Sequence, residues 1–223
     1  MTEISSLKDG FKDKNLFDQA LTHRSWINEH KGVRKSNERL EFLGDAILEY
    51  VVSKEIFEKY SDTDEGYLTA LRANIVNTVS LAELAKKLDL GSHLHLSKGE
   101  EESGGRQNPS LLADTVEAII GAIFIDSGIE SAKKFIDQNL LNDLDSRAKS
   151  PLKDFKSRLQ EMVQGKGLPA PKYQVVGETG PDHSKGFVVE VLVGGAPWGR
   201  GEGKSKSLAQ QEAARQALAK KVK

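Results

Sequence analysis

Leu111-Leu112-Ala113-Asp114-Thr115-Val116-Glu117-Ala118-Ile119-Ile120-Gly121-Ala122-Ile123-Phe124-Ile125 is an apolar run interrupted by two carboxylates. Its spacing predicts a largely buried helix. Asn108-Pro109, immediately before it, supplies a cap and a first-turn proline. No Lys or Arg lies between Arg106 and Lys133 to neutralise Asp114 and Glu117 locally. Ionised acids in such a setting are costly unless they are paired, protonated or coordinating a cation.

Helical periodicity extends outward from this run over most of the chain. Residues 17–27, 37–60, 67–88, 109–125 and 129–144 carry apolar side chains at three-to-four spacing. In the second of these, Glu38, Glu41, Asp45 and Glu49 fall within an arc of about 80°, while Leu40, Leu43, Ile47 and Val51 point the opposite way. A solvated acidic face is the ordinary explanation of such an arc. Asp114 and Glu117 have no solvated face to occupy, so the two clusters together suggest a carboxylate cage for a hard divalent cation. Phe42 projects on the acidic side, where it either covers a site, plugs into a partner or packs on another helix. Residues 99–105, Gly-Glu-Glu-Glu-Ser-Gly-Gly, read as a mobile surface loop.

The polar stretch Asp145-Ser146-Arg147-Ala148-Lys149-Ser150-Pro151 reads as a linker, after which the period changes. Residues 154–164 are helical in pattern, 173–176 and 187–193 look like strands, 197–201 could be a shorter third, and 207–222 form a closing helix. That order, α-β-β-β-α, describes a compact α+β module. From Pro151 onward there are 13 Lys and Arg against 7 Asp and Glu, a net of +6; with −1 overall, the first 150 residues carry −7. An acidic part joined to a basic part implies that one binds cations and the other polyanions.

The chain has no cysteine, which excludes disulfides, thiolate nucleophiles and cysteine-based zinc sites. None of its five histidines sits in a triad-like context. His93-Leu94-His95 is an isolated pair beside Gly91 and reads as surface structure rather than a metal site. The longest apolar run is too short to span a bilayer and the first residues show no secretion signal, so no membrane partner and a cytoplasmic location are expected.

Asn37-Glu38-Arg39-Leu40-Glu41-Phe42-Leu43-Gly44-Asp45-Ala46 resembles the signature of the ribonuclease III family. Leu112-Ala113-Asp114-Thr115-Val116-Glu117-Ala118 resembles that family's second acidic motif, and Thr22-His23-Arg24-Ser25 and Asp64-Glu65-Gly66 match as well. The resemblance implies that Glu41, Asp45, Asp114 and Glu117 hold magnesium, or manganese in its place, at the scissile phosphate. Asp45 and Glu117 would lie closest to the chemistry, with Glu38 and Glu65 as accessory acids. It further implies that Phe42 enters a socket on the second subunit of a homodimer, and that His23 serves packing and hydrogen bonding.

The second module resembles a double-stranded-RNA-binding domain, through Ser157-Arg158-Leu159-Gln160-Glu161, Gly180-Pro181-Asp182-His183 and Gly201-Glu202-Gly203-Lys204-Ser205-Lys206-Ser207. Gln160 and Glu161 would reach 2′-hydroxyls from one helix face, His183 would enter the next minor groove, and Lys204 and Lys206 would meet phosphates at a helix N-terminus. Ser207 and Gln210 stand where that family offers further basic residues, which predicts weaker phosphate affinity there. The whole is expected to be an all-α endonuclease domain (1–145), a linker (146–152) and an α+β RNA-binding domain (153–223). Its expected activity is magnesium-dependent hydrolysis of double-stranded RNA to 5′-phosphate and 3′-hydroxyl ends, on precursors such as ribosomal RNA and messenger RNA hairpins. Two rivals remain at this stage: a duplex-RNA-binding protein that does not cut, and a helical assembly protein whose acids are incidental.

Overall fold

The computed structural model describes residues 4–149, 152, 154–180 and 185–221. The chain divides into two units, Met1–Ser150 and Pro151–Lys223. The first is helical: α1 (Ile4–Asp9), α2 (Lys14–Ala20), α3 (Arg24–Glu29), α4 (Glu38–Lys59), α5 (Glu65–Val76), α6 (Thr78–Lys87), α7 (Leu90–His93), α8 (Lys98–Glu102), α9 (Pro109–Asn139) and α10 (Leu144–Lys149), with a 3₁₀ turn at Gly105–Gln107. The second runs α11 (Phe155–Gly165), β1 (Lys172–Thr179), β2 (Gly186–Val193), β3 (Ala196–Gly203) and α12 (Lys206–Lys221). Among the described residues no helix is long and apolar enough to cross a membrane.

Helix α9 begins as its sequence dictates, with the Asn108 side chain accepting from Ser110 N at 3.0 Å and Pro109 in the first turn. Its apolar face, with Leu112, Val116, Ile119 and Ile120, is buried against α4, which contributes Leu40, Leu48, Val51 and Val52. The two helices touch at glycines. A Cβ on Gly44 would overlap the carbonyl of Glu117, and one on Gly121 would overlap the carbonyl of Leu40. Only residues without a side chain permit that approach. Past Ser127 the helix breaks at Gly128, whose φ of 80° ends one segment and starts the next.

Four sequence expectations need correction. The helix expected over 17–27 is two helices, because Leu21, Thr22 and His23 spend their backbone groups elsewhere. His95 N donates to Leu21 O (2.9 Å), His23 N to His95 O (3.1 Å), and Asn37 N to Thr22 O (2.8 Å). The pattern over 67–88 is split at Asn77, whose side chain caps α6 by accepting from Ser80 N at 2.9 Å. The supposed mobile loop at 99–105 is largely α8 followed by a tight turn, capped by Ser97 and locked by Arg106. The Arg106 guanidinium donates to the carbonyls of Gly91, Ser92 and Leu94 and pairs with Glu101. Most of the expected linker is α10, held to the first unit by Lys59–Asp145 at 2.6 Å and Arg147 to Ser80 Oγ at 3.0 Å. Polar residues taken for a linker had partners that periodicity does not display.

In the second unit an antiparallel sheet of order β1-β2-β3 carries both helices on one face. The core joins Leu159 and Val163 of α11 to Val189, Val191 and Val193 of β2 and to Ala209, Ala213 and Ala217 of α12. Gly194 and Gly195, both with positive φ, make the tight β2–β3 turn. β3 spans eight residues and is longer than its sequence suggests. Gly199, Gly201 and Gly203 lower its strand signal, yet a Cβ at any of them would run into the backbone of α12.

Candidate active site and RNA-binding surface

The glycine crossing sets the first turn of α4 against the first half of α9. Glu41 thereby meets Asp114 and Glu117, one carboxylate oxygen from each lying within 4.8 Å of the others. Among the described residues no Lys or Arg forms an ion pair with any of the three. The cost shows in their protonation. Burial, then the charges of Asp45, Asp114 and Glu41, push the Glu117 carboxyl up to about 8. Glu41 is raised by burial and then by Asp114, Glu38 and Asp45. Asp114 is raised by burial, an effect opposed by neighbouring His23. Three half-buried acids that resist ionising together are suited to a bound cation, which favours the charged form of all three.

Asp45 lies outside the trio, exposed on α4. Its charge is nonetheless the largest electrostatic influence on Glu117, so it faces the same site. Glu38 is at the rim, accepting from Ser36 Oγ at 2.8 Å and pairing with Arg24 at 3.4 Å. Glu65 is elsewhere in the chain. It opens α5, accepts from Thr69 Oγ1 at 2.9 Å, and shares a separate hollow with Tyr50, Phe57 and Arg72. Phe42 is 80% exposed, so packing within the chain does not explain it. His23 caps α3, its Nδ1 accepting from Ser25 N at 3.3 Å, in keeping with its expected packing and hydrogen-bonding role.

Several contributors to the site escaped the sequence reading. Asn37 is buried, and its Nδ2 donates to Ala20 O (3.3 Å) while its N donates to Thr22 O (2.8 Å). It ties the start of α4 to the loop that carries His23 and Arg24. Gly44 and Gly121 set the distance between the two acid-bearing helices. A glycine inside a strong helical pattern was the available signal for both.

On the second unit Gln160 and Glu161 are exposed on α11, whose Leu159 and Val163 are buried. Lys204 and Lys206 are exposed where α12 begins, and Ser205 Oγ accepts from Leu208 N at 3.2 Å. His183 lies outside the described residues. At Gln210, where a basic residue was expected, Lys156 Nζ donates to Gln210 Oε1 at 2.7 Å and sits 5.2 Å from the centre of the Tyr173 ring. A lysine from α11 thus stands beside the second turn of α12.

Comparison with known proteins finds a match for each of the two units. The family described as Ribonuclease-III-like matches residues 13–144, and the Double-stranded RNA binding motif matches residues 155–221. Ribonuclease 3 of Natranaerobius thermophilus is 46% identical over 210 residues, covering 94% of this chain and 91% of that protein. Ribonuclease 3 of Enterococcus faecalis is 46% identical over 209 residues, covering 93% and 91%. Among solved structures, the nuclease domain of ribonuclease III from Campylobacter jejuni, described for flexibility in the region involved in dimer formation, is 46% identical. It covers 61% of this chain and 95% of that one with a TM-score of 0.55. The chain belongs to the ribonuclease III family: it is a double-strand-specific endoribonuclease with a helical nuclease unit followed by an α-β-β-β-α RNA-binding unit.

Proposed function

We propose that this enzyme holds magnesium, with manganese able to substitute, on Glu41, Asp114 and Glu117, with Asp45 completing the set. The oxygen-only donor set fits a hard cation and disfavours softer metals. When bound, the ion shields phosphate charge and lowers the pKa of a coordinated water. Glu117, the most buried of the acids, fixes one side of the site, and Asp45 fixes the solvent side where RNA enters. A water oxygen adds to phosphorus while the bond to the 3′-oxygen breaks, leaving 5′-phosphate and 3′-hydroxyl ends.

The second unit binds the duplex by shape. Gln160 and Glu161 contact one minor groove, His183 the next, and Lys204 and Lys206 the phosphates between them. Two copies pair through Phe42, each inserting its ring into the other, so that two sites cut the two strands and leave short 3′ overhangs. Glu65 then acts only through that assembly, which accounts for its distance from the trio in one chain. Structured ribosomal and messenger RNA precursors in the cytoplasm are the proposed substrates.

The convergence of Glu41, Asp114 and Glu117 carries this reading. Its test is Glu117→Gln. Loss of an outer-shell partner already costs a metal site roughly 10–100-fold, so losing a ligand is expected to exceed that. Duplex binding in a gel-shift titration is expected to be retained. A Glu117→Gln enzyme that cuts at the wild-type rate in magnesium defeats the assignment.

A further inference from the structure

We propose that Arg24 anchors an RNA phosphate at the mouth of the acidic site, and that Glu38 holds its guanidinium until RNA takes Glu38's place. This deepens the reading above and rests on Glu41, Asp114 and Glu117 being where RNA is cut.

A hollow of about 200 Å³ opens beside the trio, lined by His23, Arg24, Asn37, Glu38, Glu41 and Asp114 among others. Arg24 is the only Lys or Arg among its lining residues. Three of the lining residues, Glu38, Glu41 and Asp114, are carboxylates, so a phosphate approaching the hollow is drawn to the guanidinium of Arg24.

Arg24 has a rigid base and a loose tip. Its backbone opens α3 next to the His23 cap, and His23 N is tied to His95 O at 3.1 Å. The side chain is 72% exposed and, among the described residues, makes one stretched polar contact, Nη1 to Glu38 Oε1 at 3.4 Å. Glu38 is the better-held partner, because its Oε2 accepts from Ser36 Oγ at 2.8 Å. An exposed ion pair with one long contact is easily exchanged. A phosphate offers the same guanidinium two parallel, charge-assisted hydrogen bonds. The swap leaves Glu38 bonded to Ser36 and strands no buried charge. Glu38 is then a placeholder for phosphate, and its closeness to the metal-holding acids is incidental.

The test uses the full chain and a short RNA duplex in which one uncharged methylphosphonate linkage is moved stepwise past the cleavage position. Wild-type enzyme is expected to lose kcat/KM sharply at one linkage near the cut. Arg24→Ala is expected to raise KM about tenfold with kcat within about threefold, and to lose sensitivity at that linkage alone. Arg24→Lys, which keeps the charge but not the fork, is expected to recover part of the affinity. A melting curve confirms that the exposed substitution leaves the fold intact. Superimposable linkage profiles for wild type and Arg24→Ala overturn the proposal. If they superimpose while Glu117→Gln is inactive, only the Arg24 assignment falls; if Glu117→Gln still cuts, the site itself is wrong.

Discussion

In the nuclease unit, glycines bring like charges together; in the RNA-binding unit, glycines bring a strand against the alanine-rich face of a helix. Gly44 and Gly121 allow α4 and α9 to cross so closely that Glu41, Asp114 and Glu117 share one site. Gly199, Gly201 and Gly203 let α12 lie on β3, burying Ala209, Ala213 and Ala217. Lys204 and Lys206 remain outside that contact, in solvent. The same steric device serves opposed ends. Close approach in the first unit builds function against stability, whereas in the second it builds stability and leaves function on the surface.

Equivalent insults to the two contacts sharpen that contrast most. Gly44→Ala sets a Cβ on the carbonyl of Glu117, and Gly201→Ala sets one on the backbone of α12 near Ala213. Each is expected to destabilise its unit by about 1–3 kcal/mol, as overpacking does. Their functional outcomes are expected to diverge. Gly44→Ala separates the acid-bearing helices and is expected to abolish cleavage even at low salt, with duplex binding largely kept. Gly201→Ala is expected to weaken duplex binding and keep cleavage at low salt. Thermal melts with gel-shift and cleavage assays on both variants check this; similar loss of both activities in both variants breaks the comparison.

Acid distinguishes the units next. Below about 4.5, Glu117 is protonated in folded and unfolded chains alike; between there and about 8 the unfolded chain has released its proton while the folded one keeps it. Stability of the metal-free nuclease unit is therefore expected to fall as pH rises through that window. The size is on the order of 1–2 kcal/mol once solvent screening of a half-exposed site is allowed for. Saturating magnesium is expected to reverse the slope, because the bound cation favours the ionised acids. In the RNA-binding unit the opposite sign holds: hydrogen bonds from Arg215 and then Gln216 keep Glu212 near 2. That contribution is present above about 4.5 and is lost only as pH falls toward 2. Melts at pH 5 and pH 8, with chelator and with magnesium, check the prediction; a metal-free melt unchanged between them counts against the strain assigned to Glu117.

How far each unit was legible follows from the same contrast. Asp114 and Glu117 stood out because a buried helix rarely carries two unpaired acids, and the change of period after Pro151 announced the α+β unit. The crossing at Gly44 and Gly121 was not legible, since it depends on which turns of two distant helices face each other. The break at Leu21–His23 was hidden for a similar reason: its cause is the backbone of His95, far along the chain. Polarity misled at residues 99–105, which Arg106 ties to the carbonyls of Gly91 and Leu94, and at residues 145–149, where Asp145 and Arg147 find partners remote in sequence. Phe42 was ambiguous by spacing, and its exposure removes one of the alternatives.

Surface charge gives the smallest and most separable effect. A phosphate contact releases condensed counterions, so removing one lowers the slope of log affinity against log salt by about 0.9. Lys204→Ala with Lys206→Ala is expected to reduce that slope by about 2 and to leave the fold intact, because both side chains are exposed. Lys156→Met is a finer probe. The Lys156 ammonium is shared between Gln210 and the Tyr173 ring, so its loss removes a structural contact whether or not it meets phosphate. If it does stand in for the basic residue absent at Gln210, the slope falls by about 1; if it only braces α11 against α12, the unit melts lower and the slope is unchanged. The two readouts separate an electrostatic role from a packing one, a distinction the buried acids of the nuclease unit do not allow.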